Sequence, residues 1–217
     1  MTSTPPPNYL LEVTITATET PTISRHISVP ATINFHDLHL IIQTAFGWGQ
    51  CHPYKFSVEN EDVNIRPNPV ITGLHQVDGP SHSSTETSLS EVLEDAQRVI
   101  LYQYDVDLNS WTHRIRFVSR MTPGTETAVC IAGEGHPCSE DVGGPSGWRI
   151  LKEAFYLPFD KSDFTANRMR KWYKNDCING DPEGLTADGP YRWDREAVNG
   201  ELGNLEFGAA PEEEEDY

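Results

Sequence analysis

Between residues 34 and 47 the chain carries a single amphipathic helix signature set between runs of strand-like alternation, and this order limits the available folds more than any other feature. Asn34 can accept a hydrogen bond from a first-turn N–H; Leu38, Ile41, Ile42, Ala45 and Phe46 recur at i, i+3, i+4, i+7 and i+8; Gly47 supplies the stop. A stripe of that width must be covered. The flanking residues offer a sheet to cover it: Leu11, Val13, Ile15 and Ala17 alternate with polar residues, and Ile23, Ile27 and Val29 repeat the pattern after a turn at Pro21. Tyr54, Phe56 and Val58 alternate beyond the helix.

Residues 60–87 form a long polar excursion without periodicity, after which Ser88 and Glu91 make a capping box ahead of Leu89, Val92 and Leu93. Two strands are predicted over 98–106 and 111–119, joined by Asp107, Leu108, Asn109 and Ser110. Alternation puts Tyr102 and Tyr104 on one face and Asp105 on the other, and it groups Trp111, His113, Ile115 and Phe117. A second long loop is predicted over 122–146. Helical periodicity returns at Trp148, Leu151 and Phe155, again over 163–174, and briefly over 194–202. Hairpins flanking a helix, with helices gathered at the end, predict one α+β domain over 9–203 on an antiparallel sheet, between a disordered segment 1–8 and an acidic tail 204–217.

Charge removes whole classes of function. Sixteen Lys and Arg face 33 Asp and Glu, a net charge of −17, of which Glu212 to Asp216 contribute five. Non-specific nucleic-acid binding needs cations against phosphates, so neither DNA nor RNA is an expected partner, and the same sign opposes docking on anionic membrane. No apolar run approaches the roughly 20 residues of a spanning helix. Residues 1–7 lack a secretory pattern, and four irregularly spaced cysteines, Cys51, Cys130, Cys138 and Cys177, read as reduced thiols in a cytoplasmic protein. A Cys130–Cys138 pairing stays open. The chain carries no phosphate loop, dinucleotide fingerprint, nucleophile elbow or His-Glu-x-x-His, which argues against the chemistries those motifs serve.

Three groups of residues carry candidate chemistry. Cys130, His136 and Cys138, with Cys51 or His52 as a fourth donor, offer soft ligands for zinc, but their spacing matches no regular knuckle, and loop thiols that simply pack are the simpler reading. His113, in an apolar row, is either a hydrogen-bonded core histidine or a cleft-lining donor or base. Glu140 and Asp141 are either an acid–base pair or solvated loop carboxylates.

Taken together, Ser24-Arg-His-Ile-Ser-Val-Pro30, Leu38 to Trp48, His52 with Phe56, Tyr104-Asp105, Trp111-Thr-His113, Cys130-Ile-Ala-Gly133, Glu140-Asp-Val-Gly-Gly144 with Gly147 and Trp148, and Trp193 to Leu202 resemble the plasmid pRiA4b ORF-3-like proteins. The resemblance implies an α+β fold with a strongly curved antiparallel sheet packed by helices and a cleft, but it implies no reaction. This chain departs from the family pattern where Ser24, Arg25, His26 replace aromatic-Arg-Arg, where His52, Pro53, Tyr54 replace His-x-His, at Val106 to Ser110, and where Cys138, Ser139 replace Pro-Pro.

The expectation with most support is a cofactor-independent enzyme on a small apolar metabolite, a cyclase or isomerase extending to pericyclic, Diels–Alder-type cyclisation. His113 and His52 are the expected catalytic residues, with Trp48, Tyr54, Tyr104, Trp111, Glu140, Asp141 and Trp148 lining the substrate site, and with no metal and no cofactor. The competing expectations are a non-catalytic accessory module related to mobile elements, using the acidic surface and tail, and a zinc-dependent hydrolase built on Cys130, His136 and Cys138. The sequence leaves the oligomeric state open.

Overall fold

Strand alternation and helix periodicity are realised in one α+β domain, seen in a computed structural model that describes residues 6–67, 81–93, 97–106, 110–122, 125–185 and 188–208. The first five residues, the tip 107–109, the stretch 68–80 and the tail from 209 onward lie outside the described residues, and with them most of the segments expected to be disordered or acidic. Strands β1 (Asn8–Ile15), β2 (Ile23–Pro30), β3 (Tyr54–Val58), β4 (Asn64–Arg66), β5 (Ser81–Ser83), β6 (Val99–Tyr104), β7 (Trp111–Met121) and β8 (Val129–Glu134) form one open sheet in the order β5-β4-β3-β6-β7-β1-β2-β8. Every pairing is antiparallel except β4 with β5.

Helix α1 (Phe35–Phe46) starts where Asn34 accepts from the Asp37 N–H and stops at Gly47, whose φ of +64° few other residues adopt cheaply. The whole predicted stripe is buried. Of the buried polar residues of α1, two meet one partner: His39 Nδ1 and Gln43 Nε2 both contact the Tyr102 hydroxyl, at 2.8 and 2.9 Å. Gln43 donates to that oxygen, so the hydroxyl proton goes to His39 Nδ1, which fixes His39 as a neutral ring. Burial pushes its pKa down to about 3. The capping box forms at Ser88 and opens α2 (Leu89–Val92). Helices α3 (Gly144–Tyr156), α4 (Phe164–Asn175, capped by Asp163) and α5 (Arg195–Leu202, capped by Asp194) complete the domain.

The two expected long loops are corrected by the sheet. Strands β4 and β5 interrupt the 60–87 excursion, and β8 lies inside 122–146. Strand β8 lies at the sheet's end with reversed patterning: Cys130 is buried while Val129 and Ile131 are each 37% exposed, so its apolar residues face outward and mask the alternation.

Arg25 joins β2 to this edge. Its guanidinium is fully buried and donates to four backbone carbonyls, those of Ala45, Ser24, Glu134 and Gly135, between the rings of Phe46 and Trp193. Burial lowers its pKa to about 10, against the smaller opposing pull of the Cys130 and Cys138 thiols.

Candidate functional site

The end of β6, the link from α1 to β3, and the loop before α3 converge on one group of side chains. Tyr104, the last residue of β6, is fully buried, and its hydroxyl donates to Glu140 Oε1 at 2.5 Å while accepting the Cys51 N–H at 3.0 Å. Glu140, only 2% exposed, also accepts the Gly49 N–H on Oε2 at 2.6 Å and the Cys51 thiol at 3.6 Å. His52 Nε2 lies 2.7 Å from Asp141 Oδ1, its Nδ1 lies 3.9 Å from Asp105 Oδ1, and its ring packs edge-on to Tyr104. Three carboxylates thus gather around one imidazole and one thiol, and no Lys or Arg ion-pairs with any of the three among the described residues.

The backbone is bent to make this arrangement. Gln50, Asp105, Cys138 and Asp141 all have φ between +55° and +62°, a left-handed conformation that costs a non-glycine residue energy and tends to occur at functional sites. At Asp105 the effect is direct. Alternation places it opposite Tyr104, but its φ of +56° ends the strand and brings its carboxylate to the same ring that Tyr104 contacts.

Burial and neighbouring charge act together on the titratable groups. Burial first, then the hydrogen bond and the charge of Glu140, push the Tyr104 hydroxyl well above the usual phenol range. Burial followed by Glu140 also raises the Cys51 thiol.

The predicted site residues fall into three places. Trp48, Tyr104, Trp111 and His113 form one aromatic column, Trp48 stacking on Tyr104 at 5.4 Å and touching Trp111 and His113 at 5.5 and 5.3 Å, with His52, Glu140 and Asp141 at its outer end. Tyr54 stands one column over, stacked on His39 at 3.7 Å with its hydroxyl near His36 and Ser84, and burial pushes it up to about 12. Trp148 packs elsewhere, stacked on His136. His113 is fully buried between Phe46, Trp48 and Tyr102; the carbonyls of Trp111 and Tyr102 are close but outside good hydrogen-bond geometry, and burial lowers its pKa to about 3.

Cys130, His136 and Cys138 are occupied separately: the Cys130 thiol donates to the Ala132 carbonyl, His136 Nε2 meets the Tyr173 hydroxyl, and Cys138 is fully enclosed. Their ligand atoms do not converge; among the described residues the group that does is Cys51, His52 and Glu140, all within 4.8 Å of one another. All four cysteines are free. Sequence reasoning named Cys51 only as an alternative fourth donor to the Cys130, His136 and Cys138 set, and it missed Asp105. The signals for Cys51 and Asp105 were adjacency to His52 and to Tyr104, respectively.

A cavity of about 560 Å³ opens beside Asp141, with Val142, Met169 and Trp172 as its apolar surface and Arg168 and Lys171 at its wall. No helix among the described residues is long and apolar enough to cross a membrane.

Comparison with known proteins gives relatives by sequence and by structure. A protein of Sinorhizobium fredii called uncharacterized protein y4hQ is 34% identical over 150 residues, covering 68% of this chain and 73% of its own. The crystal structure titled as the protein of unknown function MM3350 from Methanosarcina mazei Go1 superposes with a TM-score of 0.67 at 26% identity, over 89% of this chain and 98% of that one. The sequence model of the plasmid pRiA4b ORF-3-like proteins matches residues 7–199, which takes in every strand and helix described above except the last three residues of α5, and the chain belongs to that family.

Proposed function

We propose that the protein is a small-molecule enzyme of the isomerase or cyclase kind, which orients its substrate and polarises it through His52 beside Asp141. One observation carries this reading: a partly exposed imidazole stands between two carboxylates, and one of these, Asp141, 2.7 Å from the ring, lines a cavity. Asp141 aligns the ring through Nε2, and Asp105 stands near the other nitrogen, so a substrate carbonyl or acidic C–H brought to this edge meets a polarising donor and a proton acceptor together. Orientation can contribute on the order of 7 kcal/mol and one well-placed donor about 3 kcal/mol.

The cavity suits a substrate with an apolar body. Trp172, Met169 and Val142 offer it a surface, and the charged rim combines two cations, Arg168 and Lys171, with two carboxylates, Asp141 and Asp176. His113 acts at one remove, holding Trp48 edge-on so that Trp48 stays stacked on Tyr104.

The test is deuterium wash-in from D₂O into a panel of polyene ketones and 1,3-dicarbonyl metabolites, followed by NMR, with Trp172 fluorescence reporting binding. Accelerated exchange or ring closure that is lost in His52→Ala supports the reading. No acceleration and no binding anywhere in the panel would leave the accessory-module reading ahead.

A further inference from the structure

We propose that Cys51, His52 and Glu140 form a binding site for a soft-to-intermediate divalent metal ion of the zinc type, with Asp141 or Asp105 available as a fourth ligand. This goes beyond the proposed reaction and does not require it, because metal uptake is read without any substrate. It also replaces the expectation of a metal-free protein with a specific site, built on Cys51 and His52, which the sequence offered only as alternative fourth donors, together with Glu140, and not on Cys130, His136 and Cys138.

Geometry is the first argument. The three donor atoms already lie within 4.8 Å of one another, and Cys51 Sγ stands 3.6 Å from Glu140 Oε1. A tetrahedral zinc with a sulfur at about 2.3 Å and an oxygen at about 2.0 Å spans a sulfur–oxygen edge of about 3.5 Å. Thiol and carboxylate are therefore set at the spacing of two zinc ligands, and a His52 nitrogen lies within 4.8 Å of both.

Donor chemistry is the second. A thiolate, an imidazole and a carboxylate are the ligand types zinc and its neighbours prefer, and they come from two chain segments 88 residues apart, from His52 to Glu140, so the site exists only in the folded protein. The supports that a metal site needs around its ligands are present as well. Whichever nitrogen of His52 takes the ion, the other has a carboxylate within 3.9 Å, the arrangement that fixes a ligating histidine. Glu140 is held by the Gly49 N–H and the Tyr104 hydroxyl. Cys51 is exposed, which gives the ion a way in.

The third argument is charge. Glu140, Asp105 and Asp141 face one another across His52 with no Lys or Arg paired to any of them among the described residues. A dication offsets that repulsion. On binding, the Cys51 S–H bond breaks, the sulfur keeps the electron pair and bonds the metal, and the proton passes to solvent. With the ion in place His52 serves as a ligand, and polarisation of a bound carbonyl passes to the metal.

The experiment titrates the full-length, metal-stripped protein with Co²⁺, then displaces it with Zn²⁺. The expected result is one equivalent bound with a sulfur-to-cobalt charge-transfer band in the near ultraviolet. That band should vanish in Cys51→Ser and persist in Cys177→Ser, and affinity should fall at least tenfold in His52→Ala and Glu140→Gln. Because Cys51 is exposed, Cys51→Ser tests the proposal even if Glu140→Gln fails to fold. A titration with no charge-transfer band, or a band that survives Cys51→Ser, overturns the site. Exchange activity in the D₂O assay is scored separately, so an active protein that binds no cobalt rejects the metal and keeps the enzyme, and the reverse result does the opposite.

Discussion

The Tyr104 hydroxyl donates to Glu140 at 2.5 Å from a fully buried ring, while the backbone N–H of Cys51 donates back to it. One phenol thereby connects the sheet, the α1–β3 link and the loop before α3. Tyr104→Phe removes a donor from a buried carboxylate, a change that costs about 1.5–3 kcal/mol when the acceptor is charged. The unfolding free energy, read from the urea midpoint and slope, should fall by that amount with the slope unchanged, and a midpoint equal to wild type would show the contact to be energetically idle.

His52→Ala should behave differently. Its ring is partly exposed and its partners Asp141 and Asp105 can turn to water, so stability should change by less than about 1 kcal/mol. Turnover on an identified substrate should drop by about 10- to 1,000-fold, the range for loss of one polarising group. Equal losses of turnover and stability would instead mark a structural residue.

Low pH should destabilise the fold through three buried histidines. Burial lowers His39 and His113 to about 3 and His136 to about 4, each below the ordinary value near 6.5. Above pH 6.5 all three are neutral in both folded and unfolded chains and impose no cost. Below it the unfolded chain takes up protons that the folded one refuses, so stability declines as pH falls from about 6.5 toward 4, by up to about 1.4 kcal/mol per unit for each group. Urea midpoints at pH 7.5 and pH 5 test this. His113→Leu, which leaves no polar atom among Phe46, Trp48 and Tyr102, should flatten the dependence; an unchanged slope would exclude His113 as a contributor.

Gly147→Ala should disturb the site from a distance. A Cβ there would stand 1.8 Å from the Val142 carbonyl oxygen, so the backbone next to Asp141 has to move. Overpacking of this kind costs about 1–3 kcal/mol. The matching site effect is a displaced Asp141, read as a changed NMR signal for the His52 ring, and an unperturbed ring would show that the loop absorbs the shift before residue 141.

What the sequence revealed follows from where periodicity was clean. The α1 stripe, the β1–β2 hairpin and the β6–β7 pair were legible because their buried residues recur at regular intervals. Strand β8 was not, since a small buried thiol between two exposed aliphatic residues inverts the usual pattern. In the candidate site, Trp48, His52, Tyr104, Glu140 and Asp141 were identified from the resemblance and their residue types. Asp105 was missed, and Cys51 was grouped with Cys130, His136 and Cys138 instead of with Glu140, because their placement depends on left-handed backbone at Gln50 and Asp105, which no side-chain pattern encodes. The resemblance grouped Tyr54 and Trp148 with the others, and packing separates them.

Arg25 has a consequence for how the chain can be divided. Two of its four carbonyl acceptors, Glu134 and Gly135, come from more than 100 residues further along, and one ring that covers it belongs to Trp193. A nascent or truncated polypeptide ending before β8 would have to keep that guanidinium in water, and so keep the end of α1 away from β2. The first hairpin and helix therefore cannot mature as an autonomous fragment. Splitting the gene between β7 and β8 should give two pieces that acquire native structure only when they are expressed together.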